Sequence, residues 1–332
     1  MRKIPKPGLA VGGCLLFCAA GALAGPPPTD TPPSDNVPQV TVHAQREAIE
    51  PRVQRFVNEY LYLENDEGPA RWTSQVCPSV VGLSREEGEF ILLRLSQIAR
   101  EAGVPLAGEQ CKPANLYVIA TAQPVEVLHA WDKKTHGEVF GDATIAVIHE
   151  FLNTPRPVRA WYNSTQVDPQ TGAPGSGVLP AGMTIGGSTL AASTPGMGAG
   201  GAQVELPGPS FNRRDSGSRI TRAASWSLGS VIIVIDKTKL GAVTRQQLAD
   251  YVGMYAYSRL KPGTHHANAP TILNLFDDLS GQPTPGLSQW DEAFLEALYH
   301  SNSRLVHQTQ AMVTRMVQHI VPEDSPEPPS PQ

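Results

Sequence analysis

Cysteine, long apolar runs and surplus positive charge are all scarce in this 332-residue chain. There are four cysteines, and beyond residue 24 no apolar run approaches the roughly 18 to 20 residues that span a bilayer. Lys and Arg number 26 against 31 Asp and Glu, so the chain is poorly suited to neutralising phosphates. The composition predicts a soluble protein without a membrane span in its mature form and excludes nucleic acid as a partner.

Complete catalytic motifs are also missing. The chain has neither a G-x-S-x-G nucleophile elbow nor a P-loop. Residues 196–201 match G-x-G-x-x-G, but the match lies inside a glycine-rich stretch with no strand before it and no helix after it. Such a segment cannot present its NH groups to a pyrophosphate. The sequence therefore predicts no catalytic residue and no cofactor-binding residue.

Residues 1–24 have the features of a secretory signal peptide. A cationic start is followed by the apolar run 9–23 and a small-residue cleavage box that ends at Ala24. A membrane anchor fits less well because the run is short. A lipoprotein is the other alternative, on Cys14 or Cys18, whose preceding residues fit that processing poorly. We expect cleavage near Ala24 and a periplasmic or secreted protein.

Cleavage would leave two cysteines, Cys77 and Cys111. In an oxidising compartment an even pair usually forms a disulfide, and we predict that bond here. A cysteine nucleophile is the alternative, but neither residue lies in a recognisable nucleophile motif. Cleavage would also leave 23 basic against 31 acidic side chains.

The composition changes along the chain and predicts one folded domain between two tethers. Residues 25–37 and 322–332 are rich in proline and polar residues, which cannot bury apolar surface. Residues 164–218 are dominated by Gly, Pro, Ser and Thr, so we expect a mobile loop there, such as a flap over a groove. The remainder of 38–321 is expected to form the domain.

Apolar periodicity predicts an α+β fold with a single mixed sheet flanked by helices and a long Gly-rich insertion. Strands are expected at 116–120, 158–162 and 231–236, with a short one at 40–42. Capping-box patterns begin helices at Ser84, Thr244 and Ser288, where an acidic residue or Gln follows three positions later. The predicted helices cover 47–63, 84–103, 124–136, 144–152, 244–260, 288–300 and 304–320.

Two pairs of adjacent residues that contain histidine are the candidate metal ligands. His149-Glu150 is half of an HExxH zinc motif, but position 153 is Asn instead of the second His. His265-His266 follows the predicted 244–260 helix and has the form of a loop metal site. Solvated surface residues are the alternative for both pairs. The sequence predicts no cofactor and keeps zinc as the alternative.

Clustered acidic residues form a second candidate group. Asp277, Asp278 and Asp291 could pair for general acid and base chemistry. A turn at the first two, and a helix first turn at Asp291, where the charge meets the dipole, is the favoured interpretation. We interpret four tryptophans as packing residues and not as a sugar platform: Trp72, Trp161, Trp226 and Trp290.

The order of predicted elements resembles that of a zincin metallopeptidase domain. In addition, the segments 247–254, 270–276 and 290–299 resemble an uncharacterised family of exported proteobacterial proteins. Members of related families resemble zincins that have lost their metal ligands. The similarity covers about residues 40–320, and its motifs are not tied to an activity.

The zincin resemblance implies a place for the catalytic helix but not its chemistry. Placing the HExxH motif on the 244–260 helix puts Val252 and Ala256 at the histidine positions and Gly253 at the glutamate position. These residues cannot ligate a metal or transfer a proton.

We therefore expect an exported, non-catalytic binding or interaction module on a degenerate zincin-like scaffold, with an envelope protein or a small ligand as partner. A metal-dependent hydrolase with a non-standard site, drawn from His149, Glu150, His265, His266 and Asp278, is the alternative. A structural envelope protein tethered by its two Pro-rich ends is a third reading.

Overall fold

In the computed structural model, one long strand, β6 (Ser225–Asp236), is the centre of a six-stranded mixed sheet. Its sequence is nearly all apolar from Val231 to Ile235, which is typical of a strand that is buried on both faces. The other strands are β1 (Leu63–Glu64), β2 (Gly68–Arg71), β3 (Pro78–Val81), β4 (Leu116–Thr121) and β5 (Val158–Val167). The structure describes residues 37–64, 68–108, 111–141, 143–168, 222, 224–263, 269–276 and 284–323.

Four strands of the sheet, β2, β3, β4 and β6, run parallel to one another, whereas β1 and β5 are antiparallel to the strands with which they pair. β3 pairs with β4, and β4 pairs with the second half of β6, where Leu116 is opposite Val231. β5 runs antiparallel along the opposite edge of β6. β2 is parallel to the first residues of β6, and β1 pairs antiparallel with β2. This arrangement confirms the predicted α+β class with a single mixed sheet.

Helices cover both faces of the sheet. Alternate residues of β6 enter two cores: Ile233 packs with the larger one, whereas Ile232 and Val234 pack with the smaller one. The helices are α1 (Val37–Tyr60), α2 (Arg85–Ala102), α3 (Pro124–Thr135), α4 (Ile145–Asn153), α5 (Arg245–Tyr257), α6 (Gln289–His300) and α7 (Gln308–Ile320). The larger core is built from α1, α2, α5, α6 and α7, and the smaller one from α3 and α4.

The three predicted capping boxes are confirmed. The hydroxyls of Ser84, Thr244 and Ser288 each accept from the backbone NH three residues later, and the side chain at that later position accepts in return. Each box satisfies two backbone donors that the first turn of a helix leaves open. The sequence therefore determines where α2, α5 and α6 begin, and these helices contribute a large share of the buried residues of the larger core. None of the described helices is both long enough and apolar enough to cross a membrane.

The short strand predicted at 40–42 is wrong, because these residues belong to α1. The helical periodicity that begins at Ile49 continues toward the N-terminus, and Val42 is buried. A strand of three residues needs a partner strand, whereas a helix forms its hydrogen bonds within itself. The predicted loop at 164–218 also begins too early, since β5 extends to Val167.

The predicted bond between Cys77 and Cys111 is confirmed, with the sulfurs 2.04 Å apart and the cysteines 34 residues apart. It ties the start of β3 to the segment that leads into β4. Closing a loop of this length stabilises a protein by roughly 3 to 4 kcal/mol in the chain-entropy model. The predicted signal peptide, the segment 25–36 and most of 164–218 and 322–332 lie outside the described residues.

Candidate functional site

The helix that would carry the zincin motif, α5, is buried in the core. Val252 and Ala256 are fully buried, so the two positions of the histidine ligands face packed side chains. A Cβ built on Gly253 would lie 2.5 Å from Ile98 Cδ1 on α2. Any side chain at this position would therefore have to displace the end of Ile98. This surface of α5 supplies core contacts to α2 and has no room for a glutamate.

The candidate metal ligands on α4 are exposed to solvent. His149 and Glu150 both lie on the outer surface of this helix, and Glu150 pairs with Arg156 at 3.6 Å. His265 and His266 lie outside the described residues. Gly263, just before them, is close to the same arginine, because a Cβ built on it would be 3.0 Å from Arg156 Nη2. Within the described residues, no three His, Cys, Asp or Glu side chains are grouped to hold a metal ion.

Asp291 is fully buried at the start of α6, while Asp277 and Asp278 lie outside the described residues. Its carboxylate accepts from the Thr271 hydroxyl at 2.5 Å, the Ile272 NH at 2.9 Å and the Ser288 NH and hydroxyl at 2.9 and 2.8 Å. Burial raises the pKa of Asp291 to about 6, although these hydrogen bonds oppose the shift. The carboxylate joins the turn at 271–274 to α6, so its surroundings fit a structural role.

The tryptophans are packing residues, as predicted. Trp72, Trp161 and Trp290 are buried, and Trp226 is partly buried against the larger core. Trp72 also donates its indole NH to the carbonyl of Ala256 at 2.8 Å.

A groove opens at the edge of the sheet where β3, β4 and β6 end. Because β3, β4 and β6 are parallel, their carboxyl ends lie at the same edge of the sheet. Both α2 and α5 begin at this edge, one directly after β3 and the other shortly after β6. The groove has a volume of about 370 Å³. It is lined by Gly82, Leu83, Ser84, Glu87, Phe90, Ile91, Lys237, Leu240, Val243, Thr244, Arg245 and Leu248.

The floor of the groove depends on a glycine that ends β3. Gly82 has a φ of 83°, and a Cβ there would lie 2.0 Å from the carbonyl oxygen of Ala120 on β4. The carbonyl of Gly82 accepts a hydrogen bond from Lys237 Nζ at 3.2 Å. Gly82 therefore lies against the end of β4 and accepts a hydrogen bond from the residue that follows β6. The ends of β3, β4 and β6 meet at this glycine.

We expect Gly82→Ala to lower the free energy of unfolding by more than about 2 kcal/mol. The left-handed conformation alone costs a non-glycine residue roughly 1 to 2 kcal/mol, and the backbone clash adds to it. Gly241→Ala is the matched control, because Gly241 has a φ of 57° but no atom within 4 Å of a built Cβ. Urea denaturation should show a clearly larger loss for Gly82→Ala, and equal losses would contradict this account.

Charged side chains of both signs line the groove, and only some of them form ion pairs. Arg245 donates to Glu86 at 2.7 Å, and its guanidinium lies over the ring of Phe90. Hydrogen bonds from Ser84 lower the pKa of Glu87, first from the hydroxyl and then from the backbone NH, and the charges of Arg245 and Lys237 lower it further. Among the described residues, no carboxylate lies within ion-pairing distance of Lys237, whose ammonium binds only a carbonyl.

Sequence reasoning missed this groove. It identified Ser84 and Thr244 as helix caps but had no means of placing the two caps at one sheet edge. The usable local signal was Gly82, a glycine between a strand and a capping box, since a close approach of backbone often explains such a glycine.

Comparison with known proteins adds no relative to this description. No family model, no curated protein and no solved structure matches the chain.

Proposed function

We propose that this protein is an exported, non-catalytic binding module that holds its ligand in the groove between the N-termini of α2 and α5. The observation that carries the proposal is the position of the groove. It lies outside the carboxyl ends of parallel strands, which is where open α/β sheets usually bind ligands.

The polar groups at the groove support binding over catalysis. The hydroxyls of Ser84 and Thr244 are held in reciprocal hydrogen bonds with Glu87 and Gln247. The Ser84 hydroxyl donates to the Glu87 carboxylate at 2.6 Å, but both groups form the reciprocal cap of α2. The Thr244 hydroxyl donates to the amide oxygen of Gln247, which is not a base that could take its proton. Apolar side chains form most of the remaining lining, and that composition is typical of a ligand pocket.

The chain's resemblance to a zincin that has lost its ligands agrees with this proposal. An antiparallel strand, β5, lies beside β6, and the core helix α5 follows β6 in the chain. The positions assigned to zinc ligands and general base hold Val252, Ala256 and Gly253, all of which pack in the core. We therefore propose a scaffold that kept its helix packing and performs its function elsewhere on its surface.

Export remains part of the proposal. The disulfide between Cys77 and Cys111 suits an oxidising compartment. Together with the predicted cleavage near Ala24, it supports a periplasmic or secreted location, where the protein would encounter its ligand or an envelope protein.

Metal analysis combined with ligand mapping tests this function. The protein, purified without a His-tag and dialysed against a weak chelator, should contain no stoichiometric zinc. A small-molecule screen followed by amide chemical shifts should show perturbations that cluster at the groove, near Leu83, Val243 and Leu248. About one zinc per chain would contradict the non-catalytic reading. Perturbations located elsewhere would contradict the assignment of the groove.

The metal-dependent hydrolase is the second candidate, and one contact favours it. Gly263, two residues before His265, lies against Arg156, which pairs with Glu150. Two described residues, Gly263 and Glu150, therefore adjoin the same arginine, and each belongs to or precedes a predicted ligand pair in the sequence. Zinc that is bound by the native protein and lost in both His265→Ala and Glu150→Ala would support this candidate. Zinc retained in both variants would remove it.

A further inference from the structure

Apolar side chains from both helices and from the β6–α5 connection face each other across the groove. Leu83, Phe90 and Leu248 are each partly buried beside the packed core. Arg245 lies over the ring of Phe90, and each of the three side chains still presents some apolar surface to the groove. A ligand that displaces water from such surface gains about 25 cal/mol for each Å² buried. The ligand should therefore have a compact apolar body.

The charge on the groove favours an anion. The N-termini of two helices, α2 and α5, carry partial positive charge toward this edge of the sheet. Lys237 adds a full charge, and within the described part of the chain no carboxylate lies within ion-pairing distance of its ammonium, although the charge of Glu87 acts on it from farther away. Its ammonium is exposed, and its present acceptor is a neutral carbonyl at 3.2 Å. A carboxylate would be a stronger acceptor for the same donor.

The neighbouring charges limit that anion to a single negative charge. Arg245 is already paired with Glu86 at 2.7 Å, so it has less to offer a second anion. Glu87, whose pKa is lowered by its cap and by both cations, stays ionised and repels a dianion such as a phosphate monoester. The groove thus has one cation in contact with no carboxylate and one fixed carboxylate nearby, and a monoanion fits this arrangement better than a dianion does.

We propose that the groove binds a small apolar monocarboxylate, with its apolar body between Leu83, Phe90 and Leu248 and its carboxylate on Lys237 Nζ. This inference rests on the proposed function, since it names the ligand class of the same groove. The nearby Lys239 lies on the same turn after β6, is exposed and does not line the groove. It is the matched control for the charge.

Calorimetric titration with octanoate and with the neutral octanamide tests the inference on the purified protein. We expect octanoate to bind at least about tenfold more tightly than octanamide. Lys237→Met should remove this preference by weakening octanoate alone, and Lys239→Met should leave both affinities unchanged. Val243→Trp, which fills the groove, should abolish binding of both compounds, and circular dichroism verifies that each variant is folded.

The alternative outcomes are distinct. Equal binding of the two compounds, or an octanoate preference that survives Lys237→Met, overturns the carboxylate assignment and leaves the groove as a binding site. Absence of binding by either compound overturns the inference. Binding that Val243→Trp does not alter overturns both the inference and the proposed function.

Discussion

Asp291→Ala is expected to lower the free energy of unfolding by about 4 kcal/mol at pH 7.5. The substitution removes an acceptor shared by the Thr271 hydroxyl, the Ile272 NH and both donors of Ser288. The hydroxyls can rotate toward other acceptors, but the NH groups of Ile272, which is buried, and of Ser288, which is partly buried, cannot. An unsatisfied buried donor costs roughly 1 to 3 kcal/mol. Loss of the cap on α6 adds to this.

The measurement is urea unfolding followed by tryptophan fluorescence. Glu87→Ala is the matched control, because Glu87 occupies the same position in the capping box of α2 but at the surface. Its loss should be much smaller than that of Asp291→Ala. Similar losses for the two variants would show that burial of the Asp291 network does not determine its contribution.

The same carboxyl predicts a pH dependence. Its pKa is about 6 in the folded protein and 3.8 in an exposed reference. The folded state therefore holds the proton more tightly, so the contribution of this group to stability is greatest below about pH 4 and falls by about 3 kcal/mol as the pH rises from about 4 to 6. Asp291→Asn should lack this component. The difference between native protein and Asp291→Asn should thus change across pH 4 to 6.5, and a constant difference would refute the assignment.

Local patterns in the sequence were sufficient to predict most of the elements. The stripe of Ile91, Leu95 and Ile98 and the cap at Ser84 define α2 without reference to the rest of the chain. The apolar run of β6 is equally self-contained. The failure at 40–42 occurred where three residues satisfy a strand pattern and a helix pattern equally, and packing of the longer helix decided the outcome.

The groove required information that no local pattern contains. It forms because β4 lies between β3 and β6, although β6 follows both of them by more than 100 residues, and because all three run in one direction. Side-chain alternation reports which face of a strand is buried, but it does not report which strands are neighbours. Likewise, the burial of Asp291 depends on the turn at Thr271, a contact that sequence spacing did not indicate.

A substitution at Gly253 tests the close packing of α5 against α2. Gly253→Glu would introduce the residue type that the zincin resemblance assigns to this position, yet we expect it to destabilise the protein by at least about 4 kcal/mol. The Cβ alone meets Ile98 Cδ1 at 2.5 Å. In addition, the carboxylate would be buried without a counter-ion, a change that is among the most destabilising for a protein core.

A double-mutant cycle keeps this account testable if Gly253→Glu does not fold. Gly253→Ala should cost about 1 to 3 kcal/mol from overpacking, and Ile98→Ala about 2 to 5 kcal/mol from the cavity it leaves. The double variant should cost at least about 1 kcal/mol less than the two together, since the new methyl enters the space left by Ile98. Gly88→Ala on α2 is the control, because its Cβ would meet only Val80 at 3.8 Å, and it should stabilise the helix. Additive losses in the cycle would mean that Ile98 does not restrict the side chain at position 253. A functional side chain could then occupy this position.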